Sequence, residues 1–138
     1  MTIRLVTDST ADLPEEWLRA FGITVVDLHL VEEDGVPVST SAATPDEIAE
    51  VYEGLLADPD CTGVVSVHLS RELSRTWQSA ADASTRFGGR VLVVDSQGAG
   101  MAFGAVVAQC AWAAARGLGL SATYELAERL CPGASTFA

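Results

Sequence analysis

Residues 91–116 read VLVVDSQGAGMAFGAVVAQCAWAAAR. Val91 to Val94 is solidly apolar, as a strand covered on both faces should be. Asp95 and Ser96 close it. From about Gly100 to Arg116 an alanine-rich stretch reads as a long buried helix. Its apolar run, Met101 to Ala115, is interrupted by Gln109 and is shorter than the ~20 residues that span a bilayer. A strand of this kind, followed at once by a helix, is the repeating unit of a parallel α/β sheet.

The same alternation extends outward in both directions. Upstream, Gly63 to Leu69 reads as a strand. The helix after it carries Leu73, Trp77, Ala80, Ala81 and Ser84 on its inner face, and Gly88-Gly89 breaks it. Further back, Thr44 is placed to cap a helix, Pro45 suits its first position and Glu47 completes a capping box. Ile48, Val51, Tyr52, Leu55 and Leu56 fall on one stripe of that helix. Near the start, Ile3–Thr7 and Thr24–Leu30 read as strands around a short helix, Pro14 to Phe21, closed by Gly22. Downstream, Ser121 caps a last helix reaching about Leu130. The order predicts an α/β domain at 1–130: a parallel sheet of at least four strands with helices on both faces. Residues 131–138 read as a connection toward a second domain that is absent.

A chain of 138 residues with a formal net charge of −11 and no lysine fits one acidic domain. Such a surface repels nucleic-acid phosphates and anionic membranes. Cys61, Cys110 and Cys131 are far apart and form no metal-binding pattern, so neither a zinc site nor a disulfide is expected. The opening MTIRLVTDST lacks the basic-then-apolar pattern of a signal peptide. A cytoplasmic location follows as the expectation.

In open parallel sheets, ligands bind beyond the carboxyl ends of the strands. Here those ends are Thr7-Asp8-Ser9-Thr10, Ser39-Thr40-Ser41, Ser70 through Thr76, and Asp95-Ser96. All are rich in hydroxyls, and the only cations among them are Arg71 and Arg75. Hydroxyls and helix N-termini can seat one small anion, such as a carboxylate, without a matching cation. Asp8, Ser70, Thr76 and Ser96 are the candidates at these ends. Each segment also suits plain helix capping. The glycines at 98, 100 and 104 are spaced GxGxxxG rather than GxGxxG, so they read as turn and close-packing residues, not a dinucleotide loop. His29 and His68 lie inside strand patterns, where packing is the ordinary role. Ser70 or Ser74 could imitate a Ser–His pair with His68, but no GxSxG and no orienting acid is apparent. Asp8 and Asp95 at the sheet edge do not by themselves make a metal site.

Several of these segments resemble the DegV family, whose members bind fatty acids and include the binding subunits of bacterial fatty acid kinase. Val6-Thr7-Asp8-Ser9-Thr10-Ala11-Asp12-Leu13-Pro14 is similar to the family's opening. Thr40-Ser41-Ala42-Ala43-Thr44-Pro45 resembles its TSQPSP element. Ser70-Arg71-Glu72-Leu73-Ser74-Arg75-Thr76-Trp77-Gln78-Ser79-Ala80 resembles its SSxLSGTYQSA element, and Val93-Val94-Asp95-Ser96 its strand end. The resemblance implies that Thr40, Ser41 and Ser74 hold an acyl carboxylate and that the acyl tail lies between two domains. It implies a fatty-acid-binding protein without its own cofactor or chemistry, whose partners are a long-chain fatty acid and a fatty acid kinase subunit. Three departures stand out. Arg75 replaces the glycine of the third element, the stretch before Thr40 is short, and the chain stops at Ala138, as a fragment or a naturally shortened relative would. The alternatives are a small phosphotransfer or hydrolytic enzyme using a strand-end histidine, for which His68 is the candidate, and an interaction domain without ligand. An apolar face left open around Phe103, Val106, Val107 and Trp112, or beside Leu73 and Trp77, would favour a homo-oligomer.

Overall fold

The structure, a computed structural model, describes residues 2–71, 74–98 and 101–136, with the backbone alone described at 30–32, 37–41, 101 and 132–136. Among the described residues six strands and five α-helices follow in the order β1 (Thr2–Asp8), α1 (Glu15–Phe21), β2 (Thr24–Val26), β3 (His29–Glu33), β4 (Val36–Ser41), α2 (Pro45–Leu56), β5 (Cys61–His68), α3 (Thr76–Ser84), β6 (Val91–Asp95), α4 (Met101–Ala115) and α5 (Leu120–Thr136), with short 3-10 turns at Ser9–Ala11 and Thr85–Phe87. β2, β1, β5 and β6 form one sheet in that order. Every pairing in it is parallel, with Thr7 opposite Val67 and His68 opposite Asp95. The expected four-stranded parallel sheet is therefore present.

Strand alternation sorts the core into two layers. Leu5, Val65, Val67 and Val94 pack with Phe103, Val107, Cys110 and Ala127 under α4 and α5. Val6, Val64 and Val91 pack with Ile48, Tyr52, Ala80 and Ala83 under α2 and α3. The helices thus cover both faces. α2 starts as its sequence signals: Thr44 Oγ1 accepts from the Glu47 amide at 3.2 Å and Glu47 Oε1 accepts from the Thr44 amide at 3.1 Å. Gly22 closes α1 in the left-handed region at φ 63°.

Four local expectations are corrected. The strand expected over Thr24–Leu30 ends at Val26, and the chain then enters an antiparallel hairpin, β3 with β4. Asp34 and Gly35 turn it with φ 52° and 79°, the pair of positive φ values that a tight hairpin turn demands. The inner face of α3 is Thr76, Ser79, Ala80 and Ala83, one position off the expected stripe; Leu73 lies outside the described residues. α5 begins at Leu120 and runs to Thr136, past the expected end near Leu130, because Cys131 is still part of the core. Its first turn closes on the Gly119 carbonyl, which accepts from the Thr123 amide at 2.9 Å, so Ser121 sits inside the helix rather than capping it. Finally, Phe103, Val106 and Val107 are buried, and the open side of α4 is Ala105, Gln109 and Trp112, which with Trp17 and Phe21 line a shallow apolar groove of about 440 Å³.

The three cysteines are buried and none is in a disulfide. No helix among the described residues is long and apolar enough to cross a membrane.

Candidate functional site

Parallel pairing sets the carboxyl ends of β1, β5 and β6 along one edge, and main-chain bonds beyond β5 and β6 extend it. The Ser96 amide donates to the His68 carbonyl at 2.9 Å, and the Ser70 amide donates to the Gly98 carbonyl at 2.9 Å. Asp8, Ser70 and Ser96 therefore meet at this edge, and all three are buried. Ser96 Oγ accepts from the Gly98 amide at 3.2 Å and donates to the Gly98 carbonyl at 3.1 Å, which folds the chain tightly after β6.

Beyond β5 the chain turns into α3. Ser74 Oγ accepts from the Thr76 amide at 3.2 Å and lies 2.9 Å from Thr76 Oγ1. The two hydroxyls share one hydrogen bond, so one O–H of the pair is left to point elsewhere. Thr76 is buried and Ser74 is half-buried. Arg71 lies 3.5 Å from Asp95 through its Nε and stacks over Trp77 at 5.2 Å. Ser70, Arg71, Asp95 and Gln97 line a cavity of about 360 Å³. A smaller one of about 200 Å³ beside it reaches Trp77, Tyr124 and Glu128. The edge thus combines hydroxyls, a helix N-terminus whose N-cap residue is the exposed Arg75, and Arg71, already held by a carboxylate. Its chemistry suits a single small anion.

Thr40 and Ser41 lie on the backbone of β4, where Leu30 and His29 oppose them; their side chains lie outside the described residues. The hairpin leaves the sheet after Val26, which stands opposite Asp8, and returns into α2. It is anchored at the same edge: the Leu28 amide donates to Ser9 Oγ at 3.4 Å, and His29 Nε2 is 2.8 Å from Glu47 Oε1. His29 is therefore a hydrogen-bonded strand residue, as its pattern suggests.

His68 is different. Its Nδ1 is 3.0 Å from Asp8 Oδ2 and its Nε2 is 2.6 Å from Ser66 Oγ, which accepts from the Tyr52 hydroxyl at 2.7 Å. An orienting acid does exist, and the serine beside His68 is Ser66 rather than Ser70 or Ser74. The arrangement looks like a Ser–His–Asp set. Yet all three side chains, and Tyr52 with them, are fully buried. Asp8 Oδ2 also accepts from the Leu69 amide at 3.1 Å, and Oδ1 accepts from the Thr10 amide at 3.0 Å and from the Thr10 hydroxyl. Both carboxylate oxygens are already engaged. Burial pushes the Asp8 carboxyl up, but the bond and charge of His68 and the bonds from Thr10 and Leu69 outweigh it and hold it below its ordinary 3.8. The sequence carries one signal for this set: Ser66 and His68 are polar at alternate positions on an otherwise apolar strand, hence on the same face. Among the described residues no group of three or more His, Cys, Asp or Glu side chains could hold a metal ion.

Comparison with known proteins gives a consistent answer. A family model described as uncharacterised protein, DegV family, matches residues 29–137. A DegV domain-containing protein of Corynebacterium glutamicum is 37% identical over 128 residues, covering 92% of this chain and 46% of the relative. The crystal structure of a DegV family protein from the same organism superposes with a TM-score of 0.89 at 35% identity, over 95% of this chain and 49% of that one. A DegV family protein from Thermus thermophilus, described by its fatty acid binding, superposes with a TM-score of 0.85 at 33% identity, over 96% of this chain and 54% of that one. The chain spans about half the length of these relatives.

Proposed function

The chain belongs to the DegV family, and we propose that it is a fatty-acid-binding module that seats an acyl carboxylate at the hydroxyl-lined carboxyl edge of its sheet. The observation that carries this reading is the Ser74–Thr76 hydroxyl pair, 2.9 Å apart at the start of α3, close in sequence to Ser70 and Arg71. One O–H of the pair and the α3 N-terminus together offer donors to a carboxylate. On this reading Thr40 and Ser41 come from the hairpin to the other side of the head group, and Ser96 shapes the edge. The fatty acid binding described for the Thermus thermophilus relative supports the same ligand class.

The reading extends to the whole protein. The acyl tail is covered by the part of the fold that these relatives have beyond the stretch this chain matches, or by a second copy. The bound acid is presented in the cytoplasm to a fatty acid kinase subunit, and this chain performs no chemistry of its own. The complete burial of His68 supports that last point, since a phosphate-accepting or general-base imidazole needs access to substrate.

The test is titration of delipidated protein with a fluorescent long-chain fatty acid, beside mass spectrometry of the organic extract of purified protein. Ser74→Ala should weaken binding by about 3- to 10-fold, the value of one net hydrogen bond. Absence of both bound and titratable fatty acid, or phosphohistidine formed on incubation with a phosphoryl donor, would overturn the reading.

A further inference from the structure

The buried Asp8–His68–Ser66–Tyr52 set is not used by a binding reaction at the surface, yet it is bonded to Leu69, where the turn toward the proposed carboxylate seat begins and the Ser74 amide donates to the Ser70 carbonyl at 3.1 Å. With the imidazole neutral, the proton positions of the set follow from the donors and acceptors. The Tyr52 hydroxyl donates to Ser66 at 2.7 Å. The single Ser66 proton then goes to His68 Nε2 at 2.6 Å, which leaves the imidazole proton on Nδ1 for Asp8 at 3.0 Å. Every donor in the chain points toward Asp8. The Leu69 amide and both donors of Thr10 also converge on that carboxylate.

Asp8 thereby joins two loops. One follows β1 and carries Thr10. The other follows β5, carries Leu69, and continues at once into Ser70, whose amide is bonded to the Gly98 carbonyl after β6. We propose that Asp8, oriented by His68, is a positioning residue for the carboxylate seat: it fixes the Leu69–Ser70 peptide, and through it the β5–α3 turn, without touching the ligand. This inference rests on the fatty-acid reading above. It assigns Asp8 a different role from direct ligand contact.

Asp8→Asn separates this from a merely structural role. Asparagine has one acceptor oxygen; kept toward the two Thr10 donors, it turns its NH2 toward the Leu69 amide, which loses its partner. Its amide also faces Nδ1 as a donor and forces the His68 proton to Nε2. The comparison variant is Tyr52→Phe. It removes a buried hydrogen bond from the same network but leaves both loop contacts in place. Both variants should unfold at lower denaturant concentration than the parent. Only Asp8→Asn should weaken fatty acid binding, by about tenfold, the equivalent of one charge-assisted hydrogen bond, and only it should move the imidazole ¹⁵N signals to the Nε2–H pattern. Equal affinity losses in the two variants, or no loss in Asp8→Asn, would overturn the proposal.

If Asp8→Asn does not fold, the parent protein answers. Saturation with oleate must shift the His68 Nδ1–H and Leu69 amide resonances and leave the Tyr52 ring signals in place; unmoved His68 and Leu69 signals would sink it. Should the parent not bind oleate at all, the fatty-acid reading fails on its own. Hydrogen exchange then decides the positioning claim, which requires that Leu69 lose protection in Asp8→Asn and keep it in Tyr52→Phe.

Discussion

A Cβ placed on Gly104 would lie 2.5 Å from the Ala11 carbonyl oxygen. Gly104 stands on α4, and Ala11 ends the 3-10 turn that follows β1. The absence of a side chain at 104 lets the long helix lie directly against that turn.

Gly104→Ala should therefore destabilise the fold. Alanine favours a helix by about 1 kcal/mol over glycine, while overpacking costs about 1–3 kcal/mol. The cost wins here because the obstacle is backbone, with Leu13 Cδ2 only 3.1 Å away as a second one. Gly63→Ala makes the contrast. Its nearest neighbours are the Leu120 methyl groups at 2.9 and 3.0 Å, the end of a flexible side chain that can turn aside, while the backbone oxygen it faces, the Arg90 carbonyl, stands farther off at 3.2 Å than Ala11 does from Gly104. Denaturant midpoints should fall further for Gly104→Ala than for Gly63→Ala; the reverse order would show that α4 can shift off the turn.

How far the sequence carried the reading follows from range. β5 and β6 were legible because each is a short apolar run ending in polar residues, and α2 because Thr44, Pro45 and Glu47 announce its start within four positions. The hydroxyl-rich edge was legible for the same reason: it follows the strands. The β3–β4 hairpin was missed because apolar residues from Thr24 to Leu30 continue through Asp27, and only the Asp34-Gly35 turn betrays the reversal. The Asp8–His68 pair was out of reach for another reason. The two are 60 positions apart, and they meet only once β1 and β5 pair with Thr7 opposite Val67. A local pattern cannot contain that register. Nor could periodicity alone separate the buried side of α4 from the open one, because nearly every position of that helix is apolar.

The capping box of α2 should be measurable in two ways. Thr44→Ala removes the acceptor of the Glu47 amide and should cost about 1 kcal/mol. Glu47 is held down to about 2 from 4.5 by the hydrogen bond from His29, then by the Thr44 amide and hydroxyl. A lowered carboxyl contributes stability that is full above its unfolded pKa and disappears as pH falls through its folded one. The stability difference between the parent and Glu47→Gln should thus be constant near neutrality and vanish between about pH 4.5 and 2. Unfolding curves across that interval decide it, and a difference that persists at pH 2 would point to packing rather than charge.

The buried thiols should be slow. Burial, with Cys131 nearby, pushes Cys110 up to about 12; burial, then Asp95 and Glu128, pushes Cys131 up to about 12. Thiolate is the reacting form, so near pH 8 both groups are almost entirely protonated. Titration with a chromogenic disulfide should consume little reagent in the native protein and three equivalents of thiol in denaturant, one for each cysteine. Fast reaction of the native protein would show that α5 opens readily.

The three tryptophans offer a direct view of the proposed seat. Trp17 and Trp112 are 39% and 51% exposed, and Trp112 lies under the Arg116 guanidinium at 4.3 Å. Trp77 is half-buried, and its Nε1 is buried with no hydrogen-bond partner among the described residues. It borders the small cavity shared by Arg71, Asp95 and Tyr124. A buried N–H without a partner is costly, so a ligand or water that reaches it gains a hydrogen bond. Trp17→Phe with Trp112→Phe should remove most of the emission that iodide quenches and leave a bluer spectrum from Trp77 alone. Both replacements lie on the α1–α4 groove, whose lining shares no residue with the proposed seat, so affinity for fatty acid should stay within about twofold of the parent, less than one net hydrogen bond. Addition of fatty acid to this single-tryptophan protein should change its emission, because the β5–α3 turn that carries Ser74 leads directly into Trp77. Saturable binding that leaves the Trp77 emission unchanged would place the ligand elsewhere, with the apolar groove between α1 and α4 the next surface to probe.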